Sequence, residues 1–415
     1  MADSTITEDA IDASSPSSIQ NIKSYAISQV LEAHKTGAMT LALTHLGTLI
    51  SGGRDGTVQW WCKSREKYVK ALAFTHPKTL VVHSIAYAHL EDGWRLFVGR
   101  KDGSIAVYAS GSYEPVQIFK ENTQSVCCLH VNQNATHMLS GSCDSNVFIF
   151  PIAELNKSSF TVLKCVGHTL SVWALASFPN VPDIYLTASA DTTVRLWNRN
   201  ITVAIFKGHK DVVRALAVLS KDCFLSAGND GTILHWDIPS SSILGKFSTC
   251  AHNFIYSMTV SDSHILTTGE NGTLEFWAML HAKSGGKLTI ASEKVIRLPS
   301  ASTWDAKVLP NSDIAIAGSD GRIYIMSNDP ERQASQELRR KFDAEVASKK
   351  KGIKENTVTF KVEVDDGTNQ LDLHYRKGTD PGLCAQEFIK ENNLPMYFLE
   401  EIIEFIKEEV PEASL

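Results

Sequence analysis

One short pattern constrains this chain more than any other feature, because it occurs seven times. Each copy has an acidic or amide residue, then a small residue, then alternating apolar positions that end in a large side chain. The turn residues of the copies are Asp55, Asp102, Asp144, Asp191, Asp230, Asn271 and Asp320. Successive copies are 39 to 49 residues apart. Repeats of this length predict equivalent structural units that cover one another's apolar faces.

Each copy is typical of a tight turn followed by a β-strand. After Asp191, Val194 and Leu196 point to one face of the predicted strand, and Arg195 and Trp197 point to the other. A carboxylate suits the turn because its oxygens can accept hydrogen bonds from nearby backbone N–H groups.

A second marker, Gly-His, comes about 20 residues before the turn acid at His168 and His209. The pairs His168 with Asp191 and His209 with Asp230 resemble acid–base pairs. We favour a buried structural network instead, in which histidine bridges the turn acid and a strand hydroxyl such as Ser189. The expected network residues are His168, Asp191, Trp197, His209, Asp230 and Trp236.

From about residue 22 to 326 these features resemble the WD-repeat β-propeller family, which has four short strands per blade. The pattern is incomplete: only Trp236 is followed by the family's aspartate, Asp237, and Gly-His is missing from blades two, three and seven. We therefore expect weaker His–Asp networks there. The strand-like segment 23–31 is expected to complete blade seven and so remove an open edge.

Beyond residue 326 the repeat stops. Residues 333–348 predict a helix that ends at the basic run before Gly352. Residues 358–364 and 371–375 predict a hairpin around Asp365-Asp366-Gly367, and Pro381 and Pro395 open two predicted helices. The second helix has an apolar face too wide for one helix–sheet contact, so we expect part of it to meet a partner.

The tail is similar to the ubiquitin-binding PFU domain, through segments such as Val364-Asp-Asp-Gly367, Asp380-Pro381 and Asn392-Asn-Leu-Pro395. A propeller joined to this domain resembles the phospholipase A-2-activating protein family of ubiquitin-fusion-degradation adaptors. That resemblance implies ubiquitin binding by both parts. It also implies a valosin-containing-protein type AAA ATPase as partner, docked by a C-terminal helical-repeat domain. Since this sequence stops at Leu415, we expect that domain to be missing, as in a fragment or shortened isoform.

The predicted fold is an all-β seven-bladed WD-repeat propeller, followed by a helical linker and a small α+β domain. We expect a disordered segment at 1–21, the propeller at 22–327, the linker at 328–352 and the PFU-like domain at 353–411.

Composition excludes several function classes. A net charge of −6 gives no general attraction to nucleic acid, and no apolar run is long enough for membrane insertion. The eight cysteines lack metal-ligand spacing, so we predict no metal site and reduced thiols. Reduced thiols indicate a location in the cytoplasm, with the nucleus as an additional location. No motif for a nucleophile, phosphate loop or dinucleotide is present, which predicts a non-enzyme without cofactor.

The propeller face where the innermost strands begin is the expected binding surface. Counting from the Gly-His marker places an apolar and basic group of residues there: Met39, Arg54, Trp173, Arg214, Phe254, Tyr256 and Trp304. Aromatic and arginine side chains dominate protein-binding surfaces. Trp173 and Trp304 could instead be buried in the channel wall. In the tail, the candidate ubiquitin contacts are Leu394, Tyr397 and Phe398.

The first hypothesis is a non-enzymatic ubiquitin-binding adaptor in ubiquitin-dependent protein degradation and ubiquitin homeostasis, whose partners are ubiquitin and ubiquitinated proteins. The alternative is a propeller scaffold or phosphopeptide reader in a multiprotein complex, because arginine forks match phosphate oxygens. An enzyme or direct lipase activator is the third possibility, and the sequence offers no nucleophile–base pair for it.

Overall fold

The structure is a computed structural model that describes residues 22–75, 80–155, 157, 160–249, 253–261, 264–280, 288–355, 357–364, 369–376, 381–392 and 398–410. The chain divides into two compact units, with the boundary between Arg339 and Arg340. Within the described residues, the first unit contains seven four-stranded antiparallel sheets, which we number as blades in chain order.

The strands of the propeller have the following bounds. The N-terminal strand β1 spans Ala26–Glu32, and blade 1 contains β2 (Ala38–Leu43), β3 (Leu49–Gly53), β4 (Thr57–Ser64) and β5 (Lys67–Thr75). Blade 2 contains β6 (Val82–Leu90), β7 (Gly93–Arg100), β8 (Ile105–Ala109) and β9 (Gln117–Phe119). Blade 3 contains β10 (Val126–Val131), β11 (His137–Ser142), β12 (Val147–Pro151) and β13 (Leu163–Cys165).

Blade 4 contains β14 (Val172–Ser177), β15 (Ile184–Ser189), β16 (Thr193–Asn198) and β17 (Ile201–Lys207). Blade 5 contains β18 (Val213–Val218), β19 (Cys223–Gly228), β20 (Thr232–Asp237) and β21 (Ser242–Ser248). Blade 6 contains β22 (Ile255–Val260), β23 (His264–Gly269), β24 (Thr273–Leu280) and β25 (Thr289–Arg297). Blade 7 contains β26 (Thr303–Val308), β27 (Ile314–Gly318) and β28 (Arg322–Ser327). Short 3-10 helices span Ile22–Ser24 and Ile152–Glu154.

The ring of blades closes as predicted. Each innermost strand contacts the innermost strand of the next blade, and β26 contacts β2. Strand β1 completes blade 7 by pairing antiparallel with β28, with Leu31 opposite Ile323. The outer edge of β28 is therefore covered by the N-terminal strand, which removes an open sheet edge.

The turn chemistry explains why the repeated motif forms the same hairpin in six blades, whereas in blade 6 Asn271 itself has a positive φ of 57° and the turn closes from Thr273 N to Glu270 O (3.2 Å). The Asp191 Oδ1 atom accepts hydrogen bonds from the Thr193 backbone N (3.0 Å) and hydroxyl (2.6 Å). The residue that follows the turn acid has a positive φ, 66° at Thr192 and 80° at Gly56. Glycine, which occupies this position in five of the seven blades, adopts that left-handed backbone without strain.

The core of the propeller lies between neighbouring blades. One cluster joins Leu186 and Val194 of blade 4 to Phe224 and Trp236 of blade 5, all buried. Since each sheet is covered on both faces by its neighbours, the inner strands need no other layer.

After the propeller, helix α1 spans Gln336–Glu355, so the predicted helix of 333–348 is displaced. The helix starts later because the Ser335 hydroxyl accepts the hydrogen bond of the Leu338 backbone N (3.4 Å), as an N-cap does. It continues through Gly352, where we predicted its end. A glycine inside a helix costs about 1 kcal/mol, which is too little to end it.

The second unit contains β29 (Thr357–Val364), β30 (Asn369–Arg376), α2 (Pro381–Glu391) and α3 (Leu399–Glu409). The hairpin is confirmed in its two paired strands, while the predicted turn at 365–367 and the start of the last helix at Pro395 lie outside the described residues. Helix α3 places Ile402 and Ile406 in the core of this unit, with Phe398, Leu399, Ile403 and Phe405 packed against it. The wide apolar face is thus used within the unit.

Candidate functional site

The innermost strand of each described blade contains a β-bulge at the same position. The register of pairing shifts across the second residue of the strand in all seven, which we call the bulge set: Met39, His83, Cys127, Trp173, Arg214, Tyr256 and Trp304. A bulge re-aims one side chain while the rest of the strand keeps its alternation. The fold therefore presents one side chain per blade at the end of the propeller where the innermost strands begin.

A second residue of each blade is fixed beside the bulge. The backbone N of the residue before the turn acid donates a hydrogen bond to the carbonyl just before the innermost strand, over 2.8 to 3.2 Å. We call these residues the rim set: Arg54, Lys101, Cys143, Ala190, Asn229, Glu270 and Ser319. The register counted from the repeat thus predicted both positions.

The bulge set lines one central cavity of about 590 Å³. Of the predicted face residues, the structure brings six to its wall: Met39, Arg54, Trp173, Arg214, Tyr256 and Trp304. Phe254 lies beside the cavity, with its ring centroid 6.4 Å from that of Tyr256. Trp173 and Trp304 are each half-buried, so both interpretations of these side chains hold in part.

Arg214 lies at the centre of an aromatic stack on one side of the mouth. Its guanidinium carbon is 3.9 Å from the ring centroid of Trp173 and 5.7 Å from that of Tyr256. Tyr256 in turn stacks on Trp304 with 4.7 Å between centroids. The Asn229 side chain accepts a hydrogen bond from Arg214 Nε (3.3 Å) and holds the guanidinium over the rings. Stacking and desolvation make this stack a rigid, amphipathic surface.

The opposite side of the mouth is basic. Arg54 and Lys101 are exposed there, on either side of His83. Burial, and then the positive charges of Arg54 and Lys101, lower the pKa of His83. His83 is therefore neutral at pH 7, and the positive field of this side comes from Arg54 and Lys101.

Sequence reasoning missed the polar groups deeper in the channel. Asp305 Oδ2 accepts a hydrogen bond from the Leu41 backbone N (2.9 Å) and so joins blade 7 to blade 1. Its other oxygen accepts from the Ser257 hydroxyl (3.0 Å) and forms an ion pair with Lys307 (3.0 Å). The position of Asp305 could have been inferred from the sequence, because it directly follows the predicted face residue Trp304 in β26. It was missed because neither the turn motif nor the Gly-His marker includes it.

The predicted His–Asp networks are confirmed, with one correction. His168 Nδ1 lies 2.8 Å from Asp191 Oδ2, and His168 Nε2 lies 2.7 Å from the hydroxyl of Thr187. We had named Ser189 as the bridging hydroxyl. That prediction is wrong, because Ser189 is at the end of the strand, where its hydroxyl donates to the Leu170 carbonyl (3.0 Å). Trp197 Nε1 donates to the same Thr187 oxygen (2.8 Å).

Blade 5 repeats this arrangement. His209 bridges Asp230 (2.9 Å) and the Ser226 hydroxyl (2.7 Å), to which Trp236 Nε1 also donates (2.7 Å). Burial alone would raise the pKa of the Asp230 carboxyl, but its hydrogen bonds, above all that from His209, lower it to about 2. The histidines are buried in the blade, away from the cavity, as a structural network requires.

Blades 2 and 3, which lack Gly-His, contain other buried polar pairs. In blade 2 the buried guanidinium of Arg100 donates to the Tyr108 hydroxyl (3.3 Å). In blade 3 the Asn122 side chain donates to the Ser140 hydroxyl (3.2 Å). Blade 1, whose marker is Ala-His, has the full set, since His34 contacts both Asp55 (3.1 Å) and Ser51 (2.9 Å).

The candidate residues of the tail are only partly described. Leu394 and Tyr397 lie outside the described residues. Phe398 immediately precedes α3 and packs against the core of the second unit. Among the described residues, no group of three or more His, Cys, Asp or Glu side chains could hold a metal ion. None of the described helices is both long enough and apolar enough to cross a membrane.

Comparison with family models matches both parts of the chain. The WD domain, G-beta repeat family matches residues 26–62, 113–150, 159–198 and 200–237. The PFU (PLAA family ubiquitin binding) family matches residues 339–414. Together with the seven blades, these matches define a WD-repeat propeller protein that carries a PFU domain.

The relatives narrow this class. The chain is 61% identical to the Ubiquitin fusion degradation protein 3 homolog of Caenorhabditis elegans, over 96% of this chain and 47% of that protein. It is 25% identical to the Ubiquitin homeostasis protein lub1 of Schizosaccharomyces pombe, over 94% of this chain and 61% of that protein. The chain is therefore related to the phospholipase A-2-activating protein (PLAA) family. It spans about half the length of the curated relatives it matches.

A solved structure supports the fold. The crystal structure of the WD40 beta propeller domain of Doa1 superimposes with a TM-score of 0.64 at 27% identity. The match covers 75% of this chain and 99% of that chain. The propeller is thus shared with a related protein over nearly the whole of that domain.

Proposed function

We propose that this chain is a non-enzymatic ubiquitin-binding adaptor in ubiquitin-dependent protein degradation and ubiquitin homeostasis. The observation that carries the proposal is the joining of a PFU domain to a propeller whose mouth holds an aromatic and arginine stack. The names of the relatives, which concern ubiquitin fusion degradation and ubiquitin homeostasis, support it.

The propeller face supplies the first ubiquitin site. The stack of Trp173, Arg214, Tyr256 and Trp304 offers a flat apolar surface with one fixed positive charge. The exposed Arg54 and Lys101 across the mouth add a basic rim. A compact partner with a small apolar patch, such as ubiquitin, fits an apolar centre of this kind, and the rim fixes its orientation.

The PFU domain supplies the second site. Two weak sites on one chain raise the effective concentration for the second contact to the millimolar range, which strengthens binding to ubiquitin chains or multiply modified substrates. The candidate contacts in the tail are Leu394, Tyr397 and Phe398. Because Phe398 is packed in the unit's core, Leu394 and Tyr397 are the better targets for substitution.

The proposal also covers partner and place. We place the protein in the cytoplasm, and also in the nucleus, where thiols stay reduced; the described cysteines are free thiols. The family resemblance adds a valosin-containing-protein type AAA ATPase as downstream partner. Co-precipitation of that ATPase with residues 1–415 tests whether this part of the protein is sufficient to bind it, separately from ubiquitin binding.

Chemical-shift mapping on ¹⁵N-labelled ubiquitin tests the proposal. The full chain should perturb one contiguous apolar patch of ubiquitin. Arg214→Glu should remove the propeller contribution and leave a weaker tail contribution, while Tyr397→Ala should do the reverse. Absence of perturbation at millimolar ubiquitin would refute both sites.

A phosphopeptide reader is the second candidate, and the basic pair Arg54 and Lys101 is the observation that favours it. It predicts that charge reversal at Arg54 and Arg214 abolishes partner binding, that deletion of the tail changes nothing, and that ubiquitin does not bind. Titration of the same variants with a phosphorylated and an unphosphorylated peptide separates the two functions. A hydrolase assay on the purified chain tests the expectation that it is not an enzyme.

A further inference from the structure

Two cysteines meet at the mouth of the cavity in blade 3. Cys127 belongs to the bulge set, and Cys143 belongs to the rim set. A backbone hydrogen bond from Cys143 N to Ser125 O, 2.9 Å long, fixes the two segments side by side. The two Sγ atoms are 3.1 Å apart. Cys127 is buried beneath Cys143, which is partly exposed.

The blade architecture does not require these thiols. The other six blades keep the same bulge and the same backbone hydrogen bond with different pairs: Met39 and Arg54, His83 and Lys101, Trp173 and Ala190, Arg214 and Asn229, Tyr256 and Glu270, Trp304 and Ser319. The sulfur pair is therefore a feature of this site and not of the repeat.

The surroundings of the two sulfurs shift their pKa values in opposite directions. The hydrogen bond shared with Cys127 lowers the pKa of Cys143 most, and the Ser171 hydroxyl and the Arg214 guanidinium lower it further. Burial and the Asp144 carboxylate oppose them, and the resulting pKa is about 6. The same hydrogen bond and burial raise the pKa of Cys127. The partly exposed Cys143 is thus the sulfur that ionises more readily, and the buried Cys127 is the one that keeps its proton.

We propose that Cys143 and Cys127 form an oxidisable dithiol site that reacts with small hydroperoxides and closes to a disulfide. The Cys143 thiolate attacks one peroxide oxygen, the O–O bond breaks, and the leaving oxygen takes up a proton as water or alcohol. Cys143 is then a sulfenic acid. Cys127 loses its proton and attacks the Cys143 sulfur, and the sulfenic oxygen leaves as water. Two thiols and one hydroperoxide give one disulfide, one alcohol or water, and one further water.

The geometry favours this pair over the other described thiols. Closing the disulfide needs the sulfurs to approach from 3.1 Å to about 2.05 Å, a movement of about 1 Å. Cys128, the next residue, directs its sulfur to the Val172 carbonyl (3.6 Å). Cys165 directs its sulfur to the Arg199 carbonyl (3.5 Å). Cys62 is exposed, and among the described residues no second thiol pairs with it as Cys127 does with Cys143.

The dithiol proposal does not depend on the proposed function, because its test measures the oxidation of the two cysteines and not ubiquitin binding. Its position still gives it a consequence for the face. The disulfide replaces a thiolate that faces Arg214, so oxidation changes the charge balance of the aromatic stack.

The test treats the full-length protein with hydrogen peroxide as the probe, blocks remaining thiols, and maps peptides by mass spectrometry without reduction. The number of free thiols should fall by two, and a single cross-linked pair should contain Cys127 and Cys143. This reading uses the wild-type chain, so it does not depend on whether a variant folds. Oxidation of Cys62 or another thiol before this pair, or no disulfide between the two, would overturn the proposal.

Variants assign the roles of the two sulfurs. In Cys127→Ser the disulfide should be lost, and a sulfenic-acid trap such as dimedone should label Cys143. In Cys143→Ser neither product should form. The matched control Cys128→Ser changes the neighbouring thiol and should form the disulfide as the wild type does. Loss of the disulfide in this control, or equal dimedone labelling of all three variants, would contradict the assignment.

Discussion

The turn residues and the bulge set both occur once per blade, at fixed register, but their side chains vary in opposite ways. The turn position is an aspartate in six blades and an asparagine, Asn271, in blade 6. The bulge position holds Met, His, Cys, Trp, Arg, Tyr and Trp in turn, on a backbone that has the same register shift in every described blade. A position that repeats in backbone and in side chain serves the architecture. A position that repeats only in backbone is free to carry a site.

The first prediction concerns the bulge set and has the largest expected effect. Arg214→Glu removes the cation–π contacts to Trp173 and Tyr256 and places a negative charge at the centre of the face. We expect ubiquitin affinity at the propeller site to fall by about 100-fold, or about 2.7 kcal/mol, as for central residues of protein interfaces. Calorimetric titration measures the loss, and the melting temperature should stay near the wild-type value.

The matched control for this variant is Lys221→Glu. It makes the same charge change on an exposed side chain at the other end of the β18–β19 hairpin. Affinity should not change. Equal losses in Arg214→Glu and Lys221→Glu would show that net charge, and not the stack, governs binding.

The second prediction concerns a turn residue, whose substitution should lower stability and leave ubiquitin affinity nearly unchanged. Asp230→Asn weakens the bonds to His209 and to the Lys210 backbone N. Breaking a buried hydrogen-bond network of this kind costs about 2 kcal/mol in the free energy of unfolding. Urea unfolding at pH 7 measures it. Ubiquitin affinity should stay within about twofold, since a change below about 0.4 kcal/mol is expected at a distant site.

The same carboxylate predicts a pH dependence. The folded-state pKa of Asp230 is about 2, below its ordinary value of 3.8, so its contribution to stability is present above pH 4. That contribution is lost as the pH falls through about 2, because both states are then protonated. The difference in unfolding free energy between wild type and Asp230→Asn should therefore narrow between pH 4 and pH 2. An unchanged difference across that range would contradict the assigned hydrogen bonds.

The third prediction concerns one atom of the bulge set. The Trp304 indole N–H is buried and has no hydrogen-bond acceptor among the described residues. Trp304→Phe keeps an aromatic ring for stacking on Tyr256 but removes this donor. If the partner accepts that hydrogen bond, affinity should fall about fivefold, or about 1 kcal/mol, without loss of stability. Unchanged affinity would place the indole N–H outside the interface.

The fourth prediction has the smallest effect. Arg54 is exposed on the rim, where a charge contributes mainly to the association rate. Arg54→Ala should weaken ubiquitin binding about twofold, or about 0.4 kcal/mol, and this difference should vanish at high salt. Stopped-flow association at low and high salt measures it. A loss as large as that of Arg214→Glu would contradict a central role for the aromatic stack, because the basic rim would then dominate ubiquitin binding.

Much of the fold could be predicted from the sequence, because its determinants are local. The turn acid, the small residue after it and the alternating strand recur at a spacing that only a repeat architecture explains. The closure by β1 followed from a lone strand at one end of the array and a missing strand at the other. The predicted end of α1 before Gly352 was wrong, because a single glycine is compatible with a helix when the residues around it favour helix formation.

The sequence could predict which residues lie at the mouth of the propeller, but not how their side chains are arranged there. Register from the repeat placed Trp173, Arg214 and Tyr256 at the mouth. It could not show that a bulge re-aims them, or that Thr187 and not Ser189 bridges His168, because both depend on pairing between strands. The short distance between Cys127 and Cys143 likewise comes from a backbone hydrogen bond across 18 residues of sequence, between Ser125 and Cys143.

Tryptophan indole signals in an NMR titration with ubiquitin test the central claim most directly, because tryptophan occurs both in the bulge set and in the buried His–Asp networks. The indole N–H signals of Trp173 and Trp304 belong to the bulge set, while those of Trp197 and Trp236 belong to the buried networks. We predict that ubiquitin shifts the first two signals and leaves the last two unchanged. Shifts of Trp197 and Trp236 with unmoved signals from Trp173 and Trp304 would contradict the claim.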